Sequence, residues 1–78
     1  MLIIKVLGSG CENCMKLAAL VHQVVGELNL EAEIIKVTDR FEIKKYPILA
    51  TPGLVINEKL VSAGRIPSEA EIAGWLKG

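Results

Sequence analysis

Gly8-Ser9-Gly10-Cys11-Glu12-Asn13-Cys14 is a glycine-rich loop that runs into two cysteines three positions apart. The residues before it, Leu2 to Leu7, are one short apolar run broken only by Lys5. The residues after it carry a helical pattern. From Cys14 the apolar positions recur at Leu17, Ala18, Val21, Val24, Val25 and Leu28, which defines one helix face of about four turns ending near Asn29. The loop therefore joins a strand to a helix. Gly8 and Gly10 leave a flexible, sterically open approach to Cys11. A thiol in the first turn of a helix lies against the partial positive charge of unpaired N–H groups, which favours thiolate over thiol. A second thiol three residues on shares that helix face, within reach of a short-range disulfide. Cys11 is at the open end and Cys14 on the buried stripe, as a reversible dithiol–disulfide couple requires.

Working outward, Leu2–Leu7 suits a central strand covered on both faces. Ala32–Val37 reads as a second strand, parallel to the first and closing a right-handed βαβ unit. Glu31, Glu33 and Lys36 scatter charge along it, as on an edge strand. Asp39 and Glu42 have capping-box spacing, so Arg40 to Tyr46 is expected to be a short helix that Pro47 stops. Gly53–Asn57 and Leu60–Ala63 read as a hairpin turning at Glu58 and Lys59. Ser68 and Glu71 repeat the capping box and open a last helix, with Ile72, Trp75 and Leu76 inward. The order β-α-β-α-β-β-α predicts an α/β fold with a four-stranded mixed sheet, the first strand inside, and flanking helices.

Seventy-eight residues imply one domain spanning 1–78, and a 51% hydrophobic composition supplies a core without a covalent staple. A Cys11–Cys14 loop would add only roughly 2 kcal/mol by chain entropy, so the pair reads as chemistry. The formal net charge is zero, with signs interspersed, which argues against nucleic acid or an anionic membrane as partner. No secretory leader is evident, and no stretch reaches the ~20 apolar residues of a membrane span. A cytoplasmic location follows as the expectation.

The Cys11-Glu12-Asn13-Cys14 motif, with Lys45-Tyr46-Pro47-Ile48-Leu49-Ala50-Thr51-Pro52 and the Ser68-capped last helix, resembles the thioredoxin superfamily. The likeness covers the whole chain, in the minimal form that lacks thioredoxin's extra N-terminal strand and helix. By length and by the Gly-x-Gly-Cys-x-x-Cys opening, the chain is similar to the small redox-active disulfide proteins of archaea and bacteria. The resemblance implies a thiol–disulfide oxidoreductase or electron carrier in which Cys11 attacks and Cys14 resolves. It implies a cis Thr51–Pro52 bond facing the sulfurs, with the preceding backbone pairing with a partner's extended segment. Gly10, Glu12, Asn13, Thr51 and Pro52 are thus the expected partner-binding residues. Implied partners are a disulfide-containing protein and a reductase; no organic cofactor is implied, because two sulfurs carry the electrons. The chain is expected as a monomer, with the second strand as the edge through which a dimer would form. Three departures stand out. Gly10 replaces thioredoxin's tryptophan, Glu12-Asn13 replaces its Gly-Pro, and Lys5 stands where it has a buried aspartate.

Two alternatives accompany this reading. Metal-carrying proteins also place CxxC between a first strand and helix, which makes a copper or zinc carrier the rival. Against it, the chain ends in a helix, and the methionine usual two residues before the first cysteine is Ser9. His22 is roughly 12 Å up the helix from Cys14, so a four-ligand zinc site within one chain is excluded by counting. The other alternative is a non-catalytic interaction module. Lys5 is expected to snorkel to the sheet margin, or else to exchange protons with Cys14. Arg65 is expected to be a solvated loop charge.

Overall fold

β1 (Leu2–Leu7) is flanked on both sides in the sheet, which explains its nearly unbroken apolar sequence. The computed structural model describes residues 2–8 and 12–77. After β1 come α1 (Glu12–Glu27), β2 (Ala32–Val37), α2 (Arg40–Ile43), β3 (Gly53–Ile56), β4 (Lys59–Ala63) and α3 (Glu69–Lys77). The sheet order is β2-β1-β3-β4, with β2 parallel to β1, β3 antiparallel to β1, and β4 antiparallel to β3. The mixed α/β architecture matches the expectation from sequence, with β2 at the edge and β1 inside.

Alternation along β1 divides the core in two. Ile4 and Val6 face α1 and α3, where they meet Leu17, Ala18, Val21, Val24, Leu54, Ile56, Ile72 and Leu76. Leu7 faces the other way, onto Val55 and Ile43 of α2, with Tyr46 and Ile48 packed alongside. Full burial of a side chain such as Leu17 or Ile72 contributes about 1.5–3 kcal/mol. The second face is thinly covered because α2 is a single turn, and Ile3 is left 38% exposed. Trp75 packs against the larger core while only partly buried.

The helix ends follow local chemistry. Asn29 takes φ 55°, and the Leu30 N–H donates to Val25 O while Asn29 N–H donates to Gly26 O. That is a Schellman stop, with Val25 and Leu30 both packed against the larger core. Ser68 and Glu71 make the reciprocal capping box: Glu71 N–H donates to Ser68 Oγ at 3.2 Å, and Ser68 N–H to Glu71 Oε1 at 3.1 Å. Arg65 grips the same carboxylate with both nitrogens, at 3.1 and 2.8 Å. It is thus the solvated loop charge expected, and in addition a bidentate partner of Glu71.

Two further boundaries differ from expectation. α2 ends at Ile43 instead of Tyr46, because Lys45 and Tyr46 donate to Glu42 and Ile43 in tightened i to i−3 bonds. Tyr46 precedes Pro47, whose ring disfavours helical backbone there. At its start, Asp39 Oδ1 accepts from Phe41 N–H at 2.8 Å, but Glu42 pairs with Lys45. The hairpin turns at Asn57 and Glu58, one residue earlier than expected. Both have positive φ, 49° and 67°, and Asn at the first position suits such a turn.

The Arg65 guanidinium and the Ser68 N–H hold the Glu71 pKa down to about 2 from 4.5. Because the folded value is the lower one, this stabilisation is complete above about 4.5 and disappears as pH falls towards 2. Glu71→Gln is therefore expected to lower stability at neutral pH and to flatten its decline between pH 4.5 and 2, measured by urea denaturation across that range.

Candidate active site

The end of β1, the start of α1 and the loop before β3 converge on Cys14. α1 begins at Glu12, so Cys14 lies in its first turn and on the stripe with Leu17, Ala18 and Val21. Cys14 is 6% exposed and disulfide-bonded. Its sulfur presses against Gly8, the residue that extends β1 by donating to Val37 O at 2.9 Å. A Cβ built on Gly8 would clash with Cys14 Sγ, and would lie 3.8 Å from Thr51 Cβ. Gly8 thus brings together a helix residue and a loop residue 37 positions apart, by having no side chain. The sequence marks Gly8 as a flexible, sterically open approach to Cys11; its position directly after the apolar strand is the signal for the close approach of Cys14 instead.

Thr51 is exposed and Pro52 is buried, and the bond between them is cis. Pro52 O accepts from Gly64 N–H at 2.9 Å, which ties this loop to the end of the hairpin. Glu12 and Asn13 are exposed at the start of α1, where Glu12 pairs with Lys16 at 3.4 Å. Of the expected site residues, Gly10 and Cys11 lie outside the described residues. Cys14 and Thr51 are brought together, with Pro52 next in the chain.

Lys5 is engaged elsewhere. It belongs to the β1 face that carries Leu7, opposite to Val6. Its ammonium donates to Tyr46 Oη at 3.0 Å and to Glu58 Oε1 at 2.6 Å, and Tyr46 O–H donates to Glu58 Oε2 at 3.2 Å. The Glu58 carboxylate, then the Tyr46 hydroxyl, push the Lys5 pKa up, so the group stays charged. Glu58 is correspondingly lowered, chiefly by Lys5. Lys5 thus reaches the sheet margin, the first of its two expected placements; in place of the alternative, proton exchange with Cys14, it makes an ion pair that joins β1 to the hairpin turn.

A thioredoxin-domain family model matches residues 2–77. The chain belongs to the thioredoxin superfamily. It is 40% identical over 77 residues to a protein named thioredoxin from Methanocaldococcus jannaschii, an alignment covering 99% of this chain and 88% of that protein. It is 35% identical over 72 residues to a thioredoxin from Methanothermobacter thermautotrophicus, covering 92% and 94%. The fold is similar to that of the germline-specific thioredoxin Deadhead from Drosophila melanogaster, with a TM-score of 0.67 at 17% identity, covering 97% of this chain and 78% of that one. Thiol–disulfide exchange with protein disulfides, supported by a reductase, is the general activity of this family. Among the described residues of this thioredoxin-family chain, no helix is long and apolar enough to cross a membrane.

The Gly8 contact makes a contrast between glycines. Gly8→Ala is expected to cost about 1–3 kcal/mol, because the sulfur it would meet is held in a disulfide. Gly26→Ala and Gly74→Ala, where a Cβ would meet nothing within 4 Å, are expected to raise stability by about 0.5–1 kcal/mol. Urea midpoints of the three variants measure the difference.

Proposed function

We propose that the chain is a small thiol–disulfide oxidoreductase in which Cys11 is the attacking sulfur and Cys14 the resolving one. The observation that carries this is the disulfide-bonded Cys14 in the first turn of α1, packed beneath Gly8 and beside Thr51. α1 begins at Glu12, so Cys11 immediately precedes a 16-residue helix. The positive end of that helix favours a thiolate there, partly opposed by the Glu12 carboxylate. The reaction is two exchanges. Cys11 thiolate attacks a partner's disulfide, forming a mixed disulfide and releasing one partner thiolate. Cys14 then attacks Cys11, closing the Cys11–Cys14 bond and releasing the second partner thiolate.

Access separates the roles. Cys14 is almost fully buried, so a protein partner cannot bring a sulfur to it. Thr51, Glu12 and Asn13 are exposed and offer the surface on which an extended segment of the partner would lie, the backbone before Pro52 pairing with it; Gly10 is assigned to the same role by its place in the motif alone. The two sulfurs carry the electrons without an organic cofactor, a reductase restores the dithiol, and the cytoplasm is the compartment in which that dithiol persists.

Cys14→Ser leaves the attacking thiolate and removes the resolving one, so mixed disulfides with protein partners are expected to accumulate on Cys11. Cys11→Ser is expected to trap none and to abolish turnover. Non-reducing electrophoresis of cell extract passed over each immobilised variant reads the outcome. Failure of both variants to trap protein, with tight stoichiometric metal binding by the reduced wild type, would replace this reading with that of a metal carrier.

A further inference from the structure

Beside Cys14, on the side towards β2, the structure has a cavity of about 240 Å³ lined by Val6, Gly8, Cys14, Met15, Lys36 and Thr38. Register explains its composition. Val6 and Lys36 are partners across the parallel β1–β2 pair and so project from the same face, the one that α1 covers. Lys36 belongs to the edge strand, and Met15, on the outer side of α1, is 62% exposed. The wall is therefore largely apolar, with Lys36 and Thr38 on its β2 side and Cys14 and Met15 on its α1 side. Among the described residues no carboxylate is paired with Lys36, whereas Lys5, Lys16 and Lys45 each have one. The space is smaller than the roughly 300–1,000 Å³ that encloses a drug-sized ligand, so its occupant is a molecule of a few heavy atoms.

We propose that this cavity is a subsite for a low-molecular-weight thiol bearing a carboxylate, which reaches the Cys14 sulfur that protein partners cannot. The inference rests on the redox reading of the cysteine pair. The carboxylate lies at Lys36, the short carbon chain lies against Val6 and Met15, and the thiolate faces Cys14. Attack of that thiolate on Cys14 Sγ forms a Cys14–thiol mixed disulfide and breaks the bond from Cys14 to its partner sulfur, which leaves with the electron pair as a thiolate. A second molecule of the thiol attacks the sulfur of the first. This releases the small-molecule disulfide and Cys14 thiolate, so two thiolates are oxidised as one protein disulfide is reduced. Both protein thiolates take their protons from solvent.

Alkylation tests the cavity without requiring turnover. In Cys11→Ser, Cys14 is the only thiol, and iodoacetate and iodoacetamide are probes of similar size that differ in charge. The iodoacetate-to-iodoacetamide rate ratio at Cys14 is expected to exceed that at free 2-mercaptoethanol by about two- to fivefold, the range of a partly exposed ion pair. The excess should vanish in Lys36→Gln and survive Lys16→Gln, and a polymer-linked maleimide should leave Cys14 unmodified. Peptide mapping of Cys14 in fully reduced wild type gives the same ratio without the serine substitution. In the redox arm, 3-mercaptopropionate should reduce the oxidised wild type faster than 2-mercaptoethanol at equal thiolate concentration, with the same dependence on Lys36. A ratio equal to the free-thiol reference, or one indifferent to Lys36→Gln, would overturn the subsite. If the protein fails even to be reduced by dithiothreitol, the redox reading falls, and the alkylation ratio still decides the cavity.

Discussion

The contact of the Cys14 sulfur with the bare Cα of Gly8 is the constraint on which the functional end of the molecule depends. It sets how closely α1 approaches the end of β1, and so where the first turn of the helix meets the sheet. The same contact admits Thr51, whose Cβ would be 3.8 Å from any side chain at position 8. A disulfide, a strand end and a loop thus converge at one residue with no side chain. Close packing has little slack there, since a single added methyl group must displace a covalently held sulfur.

Below that point the sheet is supported unequally. The face towards α1 and α3 holds the larger core, with Ile4, Leu17, Val21, Leu54 and Ile72 fully buried. The opposite face has one helical turn, so part of the work of joining β1 to the hairpin falls to Lys5, Tyr46 and Glu58. A buried aspartate in a thioredoxin is associated with the chemistry of its second cysteine. A lysine at this position serves structure instead, because its long side chain reaches carboxylate and hydroxyl partners at the margin. The Cys14 sulfur is left in a setting built from Gly8, Thr51 and, towards β2, Val6, Met15, Lys36 and Thr38.

The boundaries that shifted do so for local reasons that bear on the site. The early end of α2 before Pro47 frees the chain from Lys44 onwards to turn back, which delivers Thr51 and Pro52 to the head of β3. The hairpin turn at Asn57-Glu58 places Glu58 where its carboxylate meets Lys5, and Asn57 Oδ1 accepts from Ile3 N–H at 3.0 Å. A turn one residue later would have put Lys59 there, a like charge facing Lys5. At the other end, Arg65 is occupied by Glu71, so the segment beside Pro52 is tied to the first turn of α3.

Much of this was legible in the residue order. Apolar spacing marked β1 and α1, Ser68 with Glu71 marked the start of α3, and two cysteines at the strand–helix junction marked the chemistry, because each of these signals is local and periodic. Other features depend on residues far apart in sequence, and no spacing rule connects them. Gly8 reads as a loop glycine until the fold presses Cys14 against it. Lys36 reads as a solvated edge charge until the β1–β2 register brings it to the cavity that Cys14 also lines. Lys5 reads as either a margin lysine or a proton-exchange partner of Cys14 until alternation along β1 turns it to the other face. Local chemistry named the elements and the reacting sulfurs; register and strand parity, which exist only once the chain has folded, decided which side chains stand around them.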